Sequence, residues 1–340
     1  MTAAALSQDA LWPRAGGWPG PDATGPGDRF DLALLGVPAF RTSLSPTRAD
    51  TTPAAVREAL RRYSPALVPD RRHEGSAAEA EHRATRSGVH VHGHGGAHRP
   101  EASAPLDLGG MRCVDLGDIE EPDGEAGEAA TVAAVAAALR RSSTLVALGG
   151  DNSVTYATAL GAWGDQLGRA GLVTIDAHYD LRDGVSNGSP VRRLVEAGLD
   201  PTRIVQIGIA DFANSVAYAR RAADLGITVI HRDELHGRRP ADVMAEALAI
   251  AGAGGGPVHL DVDVDACDRA VAPACPASVP GGLQAWELRA LVRAAASDAR
   301  VRSADLVEID ATTDAPDGRT VRLAALCVLE WLAGVALRSA

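Results

Sequence analysis

Short apolar segments alternate with helical segments through most of this chain, and this alternation constrains its fold more than any other feature. Ala-, Leu- and Arg-rich stretches such as 129–141 and 284–296 are typical of helices. Near-continuous apolar strands separated by helices predict an α/β fold, in which a parallel sheet is covered by helices on both faces. The strands predicted from the apolar segments are 112–116, 144–148, 171–175, 204–209, 228–231, 258–262 and 304–309.

The predicted fold begins after an irregular N-terminal tail, residues 1–28, which is rich in Gly, Pro and Ala. Phe30 to Val37 is predicted to be a buried strand, and a helix with Thr52 as N-cap and Pro53 in its first turn is predicted to reach Tyr63. We expect residues 29–340 to form a single domain.

A polar insertion at about 69–105 interrupts this domain and contains His90, His92, His94 and His98. We interpret it as a solvated loop, with a metal-binding tract as the alternative, because composition alone does not fix a ligand geometry.

The composition excludes several classes of function. The chain has no lysine, so all 33 basic residues are arginines. P-loop NTPases, protein kinases, Schiff-base aldolases and pyridoxal-phosphate enzymes, which need a lysine amine, are therefore excluded. A net charge of -11 argues against nucleic acid as a partner.

The location of the protein is predicted from its cysteines and its hydropathy. The four cysteines match no zinc or redox motif, and we found neither a signal peptide nor a run of 18 apolar residues. We therefore expect a cytoplasmic protein without a membrane anchor.

Acidic residues gather where the predicted strands end. Alternate residues of an extended chain point the same way, so acidic residues at every second position form one row on one side of the chain. Such converging carboxylates repel one another and are costly to bury without cations, so a pair of divalent metals is expected. Oxygen ligands with one or two imidazoles suit Mn²⁺ best, with Fe²⁺, Zn²⁺ or Mg²⁺ as alternatives. The rows are Asp176, His178 and Asp180 after strand 171–175, and Asp261, Asp263 and Asp265 after residues 258–260.

Three motifs in this order resemble the signatures of the arginase, agmatinase and formimidoylglutamase family, the ureohydrolases. They are Gly149-Gly150-Asp151-Asn152-Ser153, Asp176-Ala177-His178-Tyr179-Asp180 and Asp263-Val264-Asp265-Ala266-Cys267-Asp268. The similarity extends from about Phe30 to Glu308. It implies an arginase-like three-layer α/β sandwich with a central, mostly parallel sheet, a dinuclear manganese centre, and a homo-oligomer that is a trimer or hexamer.

The resemblance also implies roles for the acidic residues. Asp176 and Asp263 correspond to ligands that bridge the two metals, His178 and Asp265 complete one metal, and Asp180 belongs to the other. Asp180 also positions the hydroxide that a metal centre makes available near neutral pH for attack on an amidine or guanidine carbon. Glu308 resembles the glutamate that faces the cationic amidine group of the substrate.

One ligand position departs from the family pattern, because Asn152 stands where the family has a histidine. An amide oxygen is a weaker ligand than imidazole, so the second metal is predicted to be loosely held, absent or of another kind. Asp151 and Asp268 correspond to groups that orient the ligands.

The substrate is predicted from the loop after Asp180. Arg182 replaces an asparagine that is usual in arginases, and residues 186–193, including Asn187, Ser189 and Arg192, lack the histidine that arginases and agmatinases carry there. Forked arginine donors suit carboxylates, so a substrate bearing carboxylates beside its amidine is expected.

The segments Asp263 to Leu283 and Phe212-Ala213-Asn214-Ser215 look most like the formimidoylglutamase branch. We therefore predict hydrolysis of N-formimidoyl-L-glutamate to L-glutamate and formamide, in histidine breakdown. Two alternatives stay open: a guanidine hydrolase acting on agmatine or guanidinobutyrate and releasing urea, and a non-catalytic homologue that binds a metal or a metabolite, for which Asn152 is the best support.

Overall fold

The structure is a computed structural model that describes residues 9–68 and 105–338. The four histidines of the insertion lie outside these residues. Within them, residues 9–28 contain one short 3-10 turn, Pro21–Ala23, and run along the domain surface. The N–H of Ala15 donates to the carbonyl of Tyr63, and the N–H of Asp115 donates to the carbonyl of Pro19.

Eight strands form one sheet in which every neighbouring pair is parallel. Their spatial order is β4-β1-β5-β10-β9-β6-β7-β8, and β2 and β3 form a separate antiparallel pair. The predicted parallel sheet is thereby confirmed. The strands are β1 Phe30–Val37, β2 Ala66–Leu67, β3 Leu106–Asp107, β4 Cys113–Asp118, β5 Ser142–Gly149, β6 Gly171–Ile175, β7 Ile204–Ile209, β8 Thr228–His231, β9 Val258–Asp263 and β10 Val301–Val307.

Helices cover both faces of the sheet, because alternate side chains of each strand pack against different helices. Side chains of α1, α6, α7 and α8 share one core with residues such as Leu34 and Val173. Side chains of α2 to α5 pack on the other face. The result is the expected three-layer sandwich. The helices are α1 Thr52–Leu60, α2 Gly124–Leu139, α3 Val154–Trp163, α4 Pro190–Ala197, α5 Val216–Leu225, α6 Pro240–Ala251, α7 Ala285–Ala296 and α8 Arg319–Leu337.

Helix α8 is long and apolar enough to cross a membrane, but 72% of its apolar window is buried inside the protein. Its apolar side chains belong to the same core as those of α7. The apolar composition of α8 is therefore accounted for by packing within the sandwich.

The first helix corrects one sequence expectation. The N-cap of α1 is Thr51 rather than Thr52, because a 3-10 turn, Ala49–Thr51, leads directly into the helix. The hydroxyl of Thr52 instead donates to the carbonyl of Ile309, near the end of β10. The helix ends at Leu60, before the predicted Tyr63.

Candidate metal centre

The order of the strands brings the three sequence motifs together at one edge of the sheet. The carboxyl ends of β5, β10, β9 and β6 lie side by side, and register pairs such as Ile175 with Val262 align them. The residues that follow these four strands are therefore neighbours, as expected for a site beyond the carboxyl ends of parallel strands.

Asp176, His178 and Asp265 form the tightest group in this edge. Nδ1 of His178 lies 3.0 Å from Oδ2 of Asp265 and 3.5 Å from Oδ1 of Asp176. One ligand atom from each residue lies within 4.8 Å of the other two. Burial alone would lower the pKa of His178, but the Asp265 and Asp176 carboxylates outweigh it and raise that pKa to about 12. In the metal-free protein, these two carboxylates therefore favour the protonated form of His178, a charge that a bound metal would replace.

The other acids of this edge, if all ionised, would carry more negative charge than one imidazolium balances. Burial raises the pKa of Asp180 and of Asp263 well above the usual range, and the nearby Asp176 carboxylate adds to both shifts. Oδ2 of Asp176 is fully buried and has no hydrogen-bond partner among the described residues. An orphaned carboxylate oxygen among acids with raised pKa values is the arrangement that a divalent cation would satisfy, so these residues fit a metal.

Asn152 connects the first motif to the second. Its amide Nδ2 donates a hydrogen bond to Asp180, and its Oδ1 accepts one from the Thr155 hydroxyl at 2.7 Å. All three residues are buried. The oxygen expected to be a weak metal ligand is thus engaged by Thr155, and the amide holds the Asp180 carboxylate in place.

Glu308 follows β10 with a left-handed backbone, φ 63°. One carboxylate oxygen, Oε1, accepts from the Asn152 N–H at 2.8 Å and from Nδ2 of Asn187 at 2.7 Å. Burial, together with the nearby charge of Asp151, raises the pKa of Glu308 to about 8. Two donors on one oxygen fix the direction of the other, Oε2.

The carboxylates of Asp151 and Asp268 accept hydrogen bonds from nearby loop residues, mainly from backbone N–H groups, rather than from the side chains of the proposed ligands. The Asp151 carboxylate accepts from the N–H and hydroxyl of Ser153, and burial raises its pKa to about 6. The Asp268 carboxylate accepts from the N–H groups of Ala270 and Gly281, which lowers its pKa. Each stabilises the loop that leaves its motif, so the ligand-orienting role that the resemblance gave them would act through backbone.

The side chains of Asn187 and Ser189 are engaged within the protein. Asn187 donates to Glu308, as described above, and its Oδ1 accepts from the N–H of Leu44 at 3.0 Å. The hydroxyl of Ser189 is fully buried and bonds both the N–H and the carbonyl of Ser186. Both side chains therefore shape the loop, and their contact with substrate stays a prediction, for which the second N–H of the Asn187 amide is the available donor.

Arg182 and Arg192, both predicted to contact substrate, differ in what they can reach. The Arg192 guanidinium donates to the carbonyls of Arg182, at 2.6 Å, and of Gly184, and forms an ion pair with Glu196. Arg192 therefore stabilises the loop. Arg182 is exposed and lies 5.9 Å above the ring of Tyr218, so its guanidinium remains available at the surface of the same loop.

Sequence reasoning missed the residues that hold the metal-binding segment 176–180. Gln206, fully buried in β7, donates from Nε2 to the carbonyl of Tyr179 at 3.0 Å. The amide of Asn214 contacts the same segment. A polar residue inside the apolar strand Ile204–Ile209 was the only sign of Gln206 in the sequence, whereas Asn214 was noted only for its resemblance to one branch.

Comparison with known proteins identifies the family. The model of the arginase family matches residues 30–334, which is most of the chain. The chain belongs to the arginase family. The expected family is confirmed, and with it the expected arginase-like fold.

Curated members of the family resemble this arginase-family protein over most of its length. A formimidoylglutamase of Halobacterium salinarum is 33% identical over 90% of this chain and 89% of its own. A guanidinopropionase of Pseudomonas aeruginosa is 34% identical over 68% of this chain and 75% of its own.

Solved structures share the fold. The crystal structure of formimidoylglutamase from Bacillus subtilis has a TM-score of 0.79 and 26% identity, and the match covers 99% of this chain and 96% of that one. The structure of Trypanosoma cruzi formiminoglutamase with Mn²⁺ has a TM-score of 0.74 at 20% identity, over 91% and 94% of the two chains. The second match shows the shared fold alone.

Proposed function

We propose that this arginase-family hydrolase cleaves N-formimidoyl-L-glutamate with water to give L-glutamate and formamide. The observation that carries the proposal is the hydrogen-bonded chain from Asp180 through Asn152 to Glu308, beside the acidic cluster. It combines an anion for a cationic amidine with carboxylates that fit a metal. The similarity to formimidoylglutamases over about nine-tenths of the chain supports the same substrate.

We propose Mn²⁺ as the metal, with two ions per chain and the second held more weakly. Mixed carboxylate and imidazole ligands suit this ion. When bound, such a metal pair supplies a nucleophile from water near neutral pH. The first ion would be held by Asp176, His178, Asp263 and Asp265, and the second by Asp176, Asp180 and Asp263, without a histidine at position 152.

Glu308 would bind the amidine end of the substrate. Its Oε1 already accepts two hydrogen bonds, which leaves Oε2 to accept from an amidinium N–H. Burial, together with the nearby charge of Asp151, raises the pKa of Glu308 to about 8. A cationic amidinium would favour the ionised form, and the resulting charge-assisted hydrogen bond orients the substrate carbon.

Asp180 would handle the proton that the reaction moves. When water attacks the amidine carbon, one proton must be removed from the water. When the bond to the glutamate nitrogen breaks, that nitrogen must receive one proton. A carboxylate oxygen of Asp180 would take the first proton and deliver the second, as a general base and then a general acid. The hydrogen bond from Asn152 fixes the orientation of this carboxylate for the transfer.

Arg182 would bind a carboxylate of the glutamate part. It lies two residues beyond Asp180, so the loop that carries a catalytic acid also carries an exposed guanidinium. Its forked N–H groups suit a carboxylate. The same charge would repel cationic agmatine, which supports a substrate with acidic groups.

A second candidate is a carboxylate-bearing guanidine, hydrolysed to urea. The similarity to a guanidinopropionase favours this candidate over agmatine or arginine. Arg182 would serve both reactions, because either substrate places an acidic group some distance from the reacting carbon.

An assay with five compounds separates these reactions. Mn²⁺-loaded protein is incubated in parallel with formimidoylglutamate, 3-guanidinopropionate, 4-guanidinobutyrate, agmatine and arginine, and glutamate and urea are measured. Glutamate from the first compound alone is expected. Urea from any other compound, at a rate equal to or above that of glutamate release, would overturn the proposed substrate. No product from any compound, with less than one metal per chain, would overturn the proposed activity.

We also propose that the protein works in the cytoplasm as a homo-oligomer, a trimer or hexamer. Its four cysteines are free and buried, which agrees with a reducing compartment. Exposed apolar side chains such as Phe212 and Trp286 are available for subunit contacts. Light scattering of the Mn²⁺-loaded protein tests the assembly, and a monomer mass would contradict it.

A further inference from the structure

The metal-binding segment 176–180 has no regular secondary structure, although it carries three of the proposed ligands. It follows β6 directly, and Asp180 at its end adopts a left-handed backbone, φ 53°. Backbone hydrogen bonds hold its start, from the N–H of Asp176 to the carbonyl of Ile207 at 3.0 Å and from the N–H of Ala210 to the carbonyl of Ala177 at 2.9 Å. The remaining residues depend on side-chain contacts to keep their shape.

The side chain of Asn214 forms hydrogen bonds with this segment on both sides of the ligand His178. Nδ2 of Asn214 donates to the carbonyl of Ala177 at 2.8 Å, and Oδ1 accepts from the N–H of Tyr179 at 3.2 Å. Ala177 and Tyr179 are the chain neighbours of His178. The same Nδ2 also donates to the carbonyl of Ala210 at 3.0 Å, which links the segment to the loop after β7.

Both backbone groups of Tyr179 are bound by side-chain amides from one region. Asn214 accepts its N–H, and Gln206 of β7 donates to its carbonyl at 3.0 Å. Tyr179 is 4% exposed, so water cannot readily replace these partners. The N–H groups of Ala177 and His178 donate to the proposed ligands Asp265 and Asp176, whereas the hydrogen bonds to Tyr179 come from β7 and from the loop that follows it.

The loop that carries Asn214 makes a sharp turn at Phe212, two residues before it. Phe212 has φ 60°, a left-handed backbone that is unusual for an aromatic residue, and its side chain is fully exposed. The Phe212 side chain contributes no packing that would favour this conformation. The hydrogen bonds that Asn214 makes two residues later offer a reason for the turn.

We propose that Asn214 is a positioning residue for the metal centre. Through its hydrogen bonds to the neighbouring peptide groups, Asn214 holds His178 in the orientation needed to bind the metal beside Asp265. This inference rests on the proposed metal site but not on the choice of substrate. An amide is suited to this position because it donates and accepts at once. Groups that orient metal ligands commonly change metal affinity about 10- to 100-fold when they are removed.

The test compares Mn²⁺ binding by four proteins, measured by electron paramagnetic resonance of the free ion during titration. They are the wild type, Asn214→Ala, Asn214→Asp and the control Ser215→Ala. Asp has the size of Asn and keeps the acceptor for Tyr179, but it loses the donor to Ala177. Ser215 is the next residue, and its hydroxyl accepts from the N–H of Tyr218 at the start of α5 without contact to the metal segment.

Both Asn214 variants are expected to bind Mn²⁺ about tenfold or more weakly than the wild type. Ser215→Ala is expected to bind as the wild type does, even if its melting temperature falls. Phe212→Gly, which can adopt the same left-handed turn, is also expected to keep the wild-type affinity. Equal affinity in wild type and both Asn214 variants, or an equal loss in Ser215→Ala, would overturn the proposal.

Hydrogen–deuterium exchange of the metal-free proteins gives a readout that does not need the ion. Peptides spanning residues 176–181 are expected to exchange faster in Asn214→Ala than in the wild type, while peptides from β10 are unchanged. Faster exchange throughout the Asn214→Ala protein would indicate general unfolding and overturn the local role. A wild type that binds no Mn²⁺ would overturn the metal site itself, which is a different outcome from equal binding by wild type and variants.

Discussion

The side-chain amide of Asn152 donates a hydrogen bond to the carboxylate of Asp180. These residues lie in the segments that follow strands β5 and β6, which are separated in the sheet by β10 and β9. The contact shows that the side chain at position 152, where the resemblance predicts a histidine, reaches the Asp180 carboxylate. Asn152 therefore contributes a donor to this site where a histidine would contribute a ligand.

Replacing Asn152 by histidine is expected to raise the amount of bound metal. An imidazole nitrogen is a stronger ligand for Mn²⁺ than an amide that faces Asp180 with its N–H groups. Dialysed Asn152→His protein should retain more Mn²⁺ per chain than the wild type by elemental analysis, and Asn152→Ala should retain no more than the wild type. Unchanged retention in Asn152→His would mean that another group already completes the second metal.

Glu308 and Asn187 should affect substrate binding in a graded way. Glu308→Gln removes the charge that faces the amidinium, so kcat/KM is expected to fall about 10- to 100-fold, equivalent to roughly 1.5–3 kcal/mol for a hydrogen bond to a charged group. Asn187→Ala removes one of the two donors that orient Glu308 and should cost less, about tenfold or below. Metal content should be unchanged in both, and a larger loss in Asn187→Ala than in Glu308→Gln would contradict the assigned roles.

Arg182 and Arg192 should differ in how they affect the Michaelis constant. Arg182→Met removes the guanidinium that faces the substrate carboxylate and is expected to raise KM for formimidoylglutamate about tenfold or more, with kcat changed little. Arg192→Met frees the carbonyls of Arg182 and Gly184 and should raise KM by a smaller factor.

Arg61 supplies the matched control for these two variants, because it is an exposed arginine directly after α1, which packs on the opposite side of the sheet from α4 and α5. Arg61→Met should have wild-type kinetics. A KM for Arg182→Met that equals that of Arg61→Met would exclude Arg182 from substrate binding.

Stability should depend on pH mainly when the metal is absent. Burial raises the pKa values of three acids in the metal-free protein. These are Asp180, Asp263 and Glu308, and the pKa of Glu308 is raised to about 8. Protonated forms of these acids therefore stabilise the metal-free fold fully below about pH 4, and this contribution is lost as the pH rises through the raised values.

We expect the melting temperature of the metal-free protein to fall between pH 5 and pH 8, and the increase in melting temperature on adding Mn²⁺ to grow over the same range. Bound metal takes the place of the protons, because it favours the ionised carboxylates. Calorimetry of both forms checks this expectation. A metal-free melting temperature that is constant or rises from pH 5 to pH 8 would contradict it.

The strands were predictable because buried parallel strands leave continuous apolar runs, such as Gly171–Ile175 and Ile204–Ile209, which the structure reproduces. The cluster of Asp176, His178 and Asp265 was predictable for a related reason, since alternate residues after adjacent strands must meet. The boundary at Thr52 was wrong because its hydroxyl is used by a distant carbonyl, that of Ile309, which local sequence does not reveal.

Tertiary contacts explain why the roles of Arg192 and Asn214 could not be predicted from the sequence. Arg192 resembles a substrate-binding arginine by position, but its guanidinium is used by backbone carbonyls of its own loop. Asn214 lies far from His178 in sequence and meets the metal segment only because β7 is the neighbour of β6. Residue type and spacing carry no information about such contacts between loops.

The proposed reaction is tested most directly by the products that Mn²⁺-loaded protein forms from N-formimidoyl-L-glutamate, followed by proton magnetic resonance. Cleavage at the glutamate nitrogen should release L-glutamate and formamide in equal amounts, and Glu308→Gln protein with the same metal content should release both far more slowly. Formation of N-formylglutamate and ammonia instead, or no product from protein saturated with Mn²⁺, would contradict the proposed activity.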